Sequence, residues 1–582
     1  MKKFFLFFFT AIFSLNVFAQ NPPTAGFDLS EYGVRIEPDK RLMVVLASLE
    51  AAGMETPLSE KGVEFRRKLQ ADLQSLNPDL KERMEQFIRQ YKKRNPNDTP
   101  AELLAPFISM AYSLAPVPDL SEPSRTTDLP GSLLEVLDFA PLVREFYRRS
   151  AFSGKLDAYV KDYQRAGDEM RGSSVEMVQR ILDYLHTRPQ ISYIERVKTE
   201  AQPEKSKKTT LQNTEIRERE RRFYIVPEML APRNTVNFRN IGDDYYAIVP
   251  PATDLSGSET RRAFLQFVFD PLVLKNAKEI SGFREGIKAL LDERRKENPN
   301  ISPDVFLAVS RSLVAAADAK EAEYRKTQIA TALARGRIDK LEKDEEKRKV
   351  SAELAKYKET LADETALMLS EAYQNGAVLA FYFARQLNGL SESGFDIAGS
   401  LRDMILSLDA SKEANRLTEF AEARKRAEKA REERAKTVEV ILENPVTKRL
   451  LAIDEIIKAK NYTEAEKQLQ QLLNENPKET RVHYTLGRVA SLSAEGVADS
   501  AEQRARLLKA KGFYENVIKN ATRETDIALL SLSYTALGRI YEFYDEAEYA
   551  IKIYETALKL GDVPGGAYKE AVAARERLLK EQ

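Results

Sequence analysis

Residues 534–558 read YTALGRIYEFYDEAEYAIKIYETAL, with Leu537, Gly538 and Tyr541 on a first helix and Ala550, Tyr554 and Ala557 on a second. A small residue where two helices cross is followed one turn on by a large apolar residue, which is the mark of a repeating helix pair. The fold of the last quarter of the chain turns on this reading.

Two less regular copies precede it. One contains Ala465, Leu469, Leu472 and Pro477, although its leading helix, Leu451 to Lys460, has no aromatic residue. The other opens with Tyr484, Leu486 and Gly487 and resumes at Ala510, Tyr514 and Val517, with an insertion from Ser491 to Arg504 between its halves. Residues 445–582 thus resemble tetratricopeptide (TPR) repeats. The resemblance implies packing roles for Ala465, Leu469, Pro477, Leu486, Gly487, Ala510, Tyr514, Leu537, Gly538, Tyr541, Ala550, Tyr554 and Ala557. It also implies an α-solenoid in which each helix pair buries its apolar face on a neighbour. A protein or peptide partner is then held by polar residues on the concave side.

At the other end, Lys2 and Lys3 precede an apolar run, Phe4 to Leu15, and Val17-Phe18-Ala19 offers a cleavage site ahead of Gln20. This pattern predicts a signal peptide over residues 1–19 and a periplasmic or secreted mature chain. The run is short for a membrane span, and charge interrupts every later apolar stretch.

The 582 residues include 90 Lys plus Arg and 90 Asp plus Glu, a balance that gives no electrostatic reason to expect nucleic acid as a partner. There is no cysteine, which excludes thiol catalysis, Fe–S clusters and Cys-ligated zinc. Only two histidines occur, His186 and His483, and they fall in different segments. The expectation is therefore of a chain with no cofactor or metal and no catalytic residues. His186, ahead of Thr187-Arg188-Pro189, reads as a helix C-cap, and His483 as part of a helix surface. Carboxylate pairs such as Asp243-Asp244 and Asp363-Glu364 read as chance neighbours among many acidic residues.

Four segments are expected between the leader and the chain end. Residues 20–130 read as helical, with Leu42, Val45, Leu46 and Leu49 on one face and Phe65, Leu69, Leu73 and Leu76 on another. Prolines from Pro116 to Pro130 mark a boundary or long loop. Residues 131–300 form an α+β domain: a helical stretch from Leu133 to Leu185, then strands at Ile191–Val197, Arg222–Val226, 236–238 and Tyr245–Val249. The last two make a hairpin around a turn of about five residues, Asn240 to Asp244. The polar run Thr199 to Glu220 reads as a mobile loop. Residues 301–440 form long charged helices. Val350, Leu354, Tyr357 and Leu361 give a coiled-coil-like seam, Ala366 to Leu387 a buried helix, and Lys412 to Lys436 a solvated spacer. Residues 441–582 carry the repeats.

Ser258 is placed to cap a helix through Phe264, Leu265 and Phe269 that ends at Pro271. The order of sheet and helix, with Phe267, Pro271, Leu272 and Val273, resembles a family of secreted bacterial zincin-like peptidases with a His-Glu-Phe-x-His helix. The resemblance sets Leu265, Gln266 and Phe269 where that family has its zinc ligands and base, so the site is degenerate. Zinc in that arrangement needs two imidazoles one turn apart. The whole chain reads as mainly α, with an α+β central domain carrying a small sheet, long charged helices and a C-terminal solenoid. Its expected role is non-enzymatic protein binding or scaffolding through the repeats. The alternative is a hydrolase or peptide-binding protein derived from a zincin-like metallopeptidase.

Overall fold

The computed structural model describes residues 27–123, 131–199, 213–255, 259–339, 341–522, 525–561, 563 and 565–581. The expected leader and Ser258 lie outside the described residues. The chain is mainly α with a small mixed sheet, and it divides into two compact units, Gln20–Glu428 and Lys429–Gln582. The three segments expected between residues 20 and 440 thus fall almost entirely within one unit.

Among the described residues that unit has six strands: β1 (Val34–Ile36), β2 (Ser192–Thr199), β3 (Asn213–Glu220), β4 (Arg222–Pro227), β5 (Asn237–Ile241) and β6 (Asp244–Val249). Four of them form a sheet in the order β1-β4-β6-β5, with β1, β4 and β6 parallel and β5 antiparallel to β6. Because side chains alternate along a strand, the two faces serve different cores. Phe223, Ile225, Tyr245, Ala247 and Val249 pack with Phe264, Phe267, Val309 and Leu313 of the later helices. Val226 and Ile248, with Tyr224 and Tyr246 beside them, pack with Leu42, Val45, Ile108 and Phe139 of the earlier ones.

The earlier layer is built from helices with clear start signals. Asp39 Oδ1 accepts from the backbone N–H of Arg41 and Leu42 to cap Lys40–Ala51, and Thr99 with Glu102 forms a capping box ahead of Pro100–Ser113. Phe107 and Leu114, before the proline-rich stretch, share a core with Leu133, Phe139 and Phe152, after it. The proline-rich stretch that begins at Pro116 therefore falls within one unit and not at a boundary, and its residues 124–130 lie outside the described residues.

Several local expectations are corrected. Residues 213–220 of the expected loop are strand β3, antiparallel to β2 from Ser192↔Glu220 to Thr199↔Asn213. The β5–β6 hairpin turns through Gly242 and Asp243 alone, since Ile241 pairs directly with Asp244. Gly242 has φ of +62°, which suits a two-residue turn. The Thr260–Lys275 helix runs through Pro271 rather than ending there. Proline removes one helical hydrogen bond, and the buried Leu272 and Val273 hold the last turn in place.

The stretch from Ala366 to Leu387 is two helices, Asp344–Gln374 and Ala380–Ser393. Gly376 breaks them with φ of +95°, and a Cβ there would lie 2.8 Å from Ile301 Cγ2. The Val350–Leu361 seam packs along Val305–Ile338, with Leu354 the least buried of its four residues. In the expected spacer, Arg426 makes a two-pronged pair with Asp363 at 2.6 and 2.7 Å.

Candidate functional site

The second unit stacks three antiparallel helix pairs and a final helix: Pro445–Lys458 with Tyr462–Glu475, Thr480–Ala494 with Ser500–Lys519, Ile527–Phe543 with Ala547–Lys559, then Tyr568–Glu581. Three small cores lie between them. Ile453, Ile457, Leu469 and Leu486 belong to the first, Ala490, Ala510, Tyr514 and Leu537 to the second, and Ala550, Tyr554, Ala571 and Leu578 to the third. Of the thirteen expected packing residues, all are buried except Pro477, which is exposed, and Tyr541, which is half-buried. The insertion from Ser491 to Arg504 lengthens Thr480–Ala494 and supplies the first turn of Ser500–Lys519.

Two glycines set the distance between the paired helices. A Cβ on Gly487 would lie 2.7 Å from Tyr514 Cε1, and one on Gly538 would lie 2.6 Å from Tyr554 Cζ. Each tyrosine ring thus rests directly on the backbone of the preceding helix. Its hydroxyl reaches that helix's polar side: Tyr514 lies 3.4 Å from Ser491 Oγ, and Tyr554 donates to Glu542.

The leading helices align their polar residues across pairs. Arg481 Nη1 donates to Thr447 Oγ1 at 3.0 Å, and Arg488 Nη1 meets Asp454 Oδ1 at 2.8 Å. Arg539, the next in this line, is exposed and has no hydrogen bond or ion pair among the described residues. Burial pushes the Tyr514 hydroxyl up to about 12 despite the opposing influence of Ser491, Arg488 and Arg539. Burial and the Glu542 carboxylate raise Tyr554 as well, against Arg539 and Arg577. Both phenols are therefore neutral at physiological pH, with their rings buried and the Tyr554 proton already given to Glu542 in a hydrogen bond.

Further along the same unit, Lys511 Nζ sits 4.4 Å from the centre of the Tyr541 ring, and Tyr541 stacks with Tyr549 at 6.0 Å. His483 is buried rather than part of the surface. Its Nε2 lies 2.9 Å from the Pro477 carbonyl, which fixes the ring under the turn between two helix pairs.

The zincin-aligned positions lie in the other unit, on Thr260–Lys275. Leu265 and Phe269 are core residues, and Gln266 is half-buried beside them. Neither hydrocarbon side chain has an atom that can bind a metal, and no group of three metal-binding side chains occurs among the described residues. His186 caps Phe152–Leu185 in a left-handed conformation, φ +49°. The carboxylate pairs are engaged in ionic contacts: Asp243 with Arg219 at 2.8 Å, Asp363 with Arg426, and Glu364 with Lys326 at 3.2 Å. Among the described residues, no helix is long and apolar enough to cross a membrane. The chain matches no protein-family model, and neither a curated protein nor a solved structure is significantly similar to it.

Proposed function

We propose that this chain is an exported, non-catalytic protein-binding or scaffolding protein whose C-terminal TPR-like helix pairs hold a protein or peptide partner. The observation that carries this reading is the line of polar residues on the leading helices, Asp454, Arg488 and Arg539, which ends in an exposed arginine without a partner among the described residues. Arginine is among the residues that most often dominate binding energy at interfaces. The absence of catalysis rests on the sequence inventory, two histidines and no cysteine. The derivation from a zincin-like peptidase has the sheet-then-helix order in its favour, but Leu265 and Phe269 offer it no zinc donors.

The test is capture from cell-envelope extract by the mature chain, by a version ending near Glu443, and by Arg539→Glu. A partner held by the repeats is lost on truncation and binds the charge-reversed chain on the order of 30-fold more weakly, a loss of about 2 kcal/mol. A partner retained by the truncated chain refutes the reading.

A further inference from the structure

In the unit Gln20–Glu428, a cleft of about 640 Å³ runs along the helix Ile397–Leu406. Its floor is one stripe of that helix with both caps: Asp396, Gly399, Ser400, Asp403, Met404 and Ser407. These positions recur at the three- and four-residue spacing of a single helix face. Gln386 and Gly389, on Ala380–Ser393, and Phe395, which is 67% exposed, complete the lining. The middle of the stripe is left open by glycine. A Cβ added at Gly399, between the two aspartates, or at Gly389 would have nothing within 4 Å.

The charge of the lining is all of one sign. Asp396 Oδ1 accepts from the Ala398 N–H, which caps the helix, while its Oδ2 and the whole Asp403 carboxylate have no partner among the described residues. The arginines beside the cleft in sequence are turned to other tasks. Arg402 is held by Glu279 at 3.0 Å, and Arg385 lies 5.7 Å from the centre of the Tyr382 ring. Both serines spend their protons on their own helix: Ser400 donates to the Asp396 carbonyl at 2.9 Å and Ser407 to the Asp403 carbonyl at 2.7 Å. Each hydroxyl is left with acceptor capacity alone. Apart from Gln386, the polar side chains of the cleft therefore accept hydrogen bonds and have none to give.

We infer that this cleft binds a linear primary diamine, with one ammonium at each carboxylate and the methylene chain against Gly399, Met404 and Phe395. An ammonium brings three donors and no acceptor, the complement of this lining. Seven residues separate Asp396 from Asp403, about 10 Å along the helix axis, a span that a flexible chain bridges and a single metal ion does not. Asp403 is the stronger anchor, because the helix N-terminus partly offsets the charge of Asp396. Both carboxylates are exposed, so binding is modest, with a dissociation constant on the order of 0.1–1 mM.

Cadaverine is the probe, compared with pentylamine, pentanediol and Mg²⁺ by calorimetric titration of the full chain at constant ionic strength. The expected result is saturable binding of one cadaverine per chain, binding of pentylamine at least fivefold weaker, none of pentanediol, and no displacement by Mg²⁺. Asp403→Asn weakens cadaverine about fivefold. Asp396→Asn keeps the helix cap and weakens it by a smaller factor. Gly399→Leu fills the cleft from a position where a Cβ meets nothing, so the thermal midpoint holds or rises while cadaverine binding is lost. The proposal is overturned if cadaverine shows no saturable binding, binds no more tightly than pentylamine, or is displaced by Mg²⁺. Unchanged binding in Asp403→Asn or Gly399→Leu overturns it as well.

Discussion

Replacing Gly538 with alanine tests how the third helix pair is held together. The added methyl would sit 2.6 Å from Tyr554 Cζ and 2.8 Å from Cδ1, whereas carbon atoms in contact prefer about 3.5–4.0 Å. The ring must therefore retreat by about 1 Å. It is fully buried among Ala550, Ala557, Ala571 and Leu578, and its hydroxyl is tied to Glu542, so nothing nearby yields freely. Overpacking of this kind costs about 1–3 kcal/mol, while alanine recovers about 0.5–1 kcal/mol over glycine within a helix. The net loss is about 1–2 kcal/mol, a 5- to 30-fold rise in local opening. Gly512 is the matched control: it too lies within a helix of this unit, but a Cβ there has nothing within 4 Å. Gly512→Ala should stabilise by about 0.5–1 kcal/mol. Amide hydrogen exchange over Ile527–Phe543 and Ala547–Lys559 in the full chain reads local stability without assuming that the two units unfold together. Faster exchange is expected for Gly538→Ala and slower exchange over Ser500–Lys519 for Gly512→Ala. If both variants gain protection, helix propensity outweighs the ring contact and the reasoning fails.

Glu228 is sealed from water with Oε2 unpaired, while Oε1 accepts from the Tyr163 hydroxyl at 2.7 Å and the Leu230 N–H at 3.0 Å. Burial pushes its carboxyl up to about 7 from an ordinary value of 4.5. The folded chain thus binds this proton more tightly than the unfolded one, so stability falls as pH rises from about 4.5 to about 7, by on the order of 3 kcal/mol. Glu228→Gln should remove that decline in urea denaturation between pH 4 and 8, and parallel curves for parent and variant would falsify the assignment. Arg261→Met leaves Glu321 buried without its cation and should lower stability by about 3–5 kcal/mol in the same assay; a loss under 1 kcal/mol counts against the ionic cluster being formed. His186→Gly relieves a left-handed residue that is exposed and should raise the thermal midpoint, by about 1 kcal/mol in stability, whereas a fall would mean that the imidazole makes a contact of its own.

Spacing made the helix pairs legible, because Gly487 with Tyr514 and Gly538 with Tyr554 are locally constrained: each glycine exists for the ring that lies on it. The exposed end of the polar line was not legible. Nothing in Arg539 itself distinguishes it from the other arginines, and only the fold shows that, unlike Arg488 with Asp454, it forms no ion pair among the described residues. Strand β3 was hidden because Asn213–Glu220 alternates charges instead of apolar residues, and its order comes from pairing with β2. Strand β1 has only three residues, and its partner, β4, lies far along the chain. The burial of His483 depends on a carbonyl six residues earlier, a contact that periodicity does not register.

The two-faced sheet also governs the order in which this protein can be completed. When the first 200 residues have been synthesised, the helices from Lys40 to Leu185 exist, but the floor on which Leu42, Val45 and Phe139 rest does not, because Val226 and Ile248 have yet to be made. The same strands supply the ceiling for Phe264 and Leu313, which come later still. The N-terminal layer therefore waits, with its apolar side open, on a ribbon of about 30 residues, and any nascent chain stopped short of Val249 presents that side to chaperones and proteases.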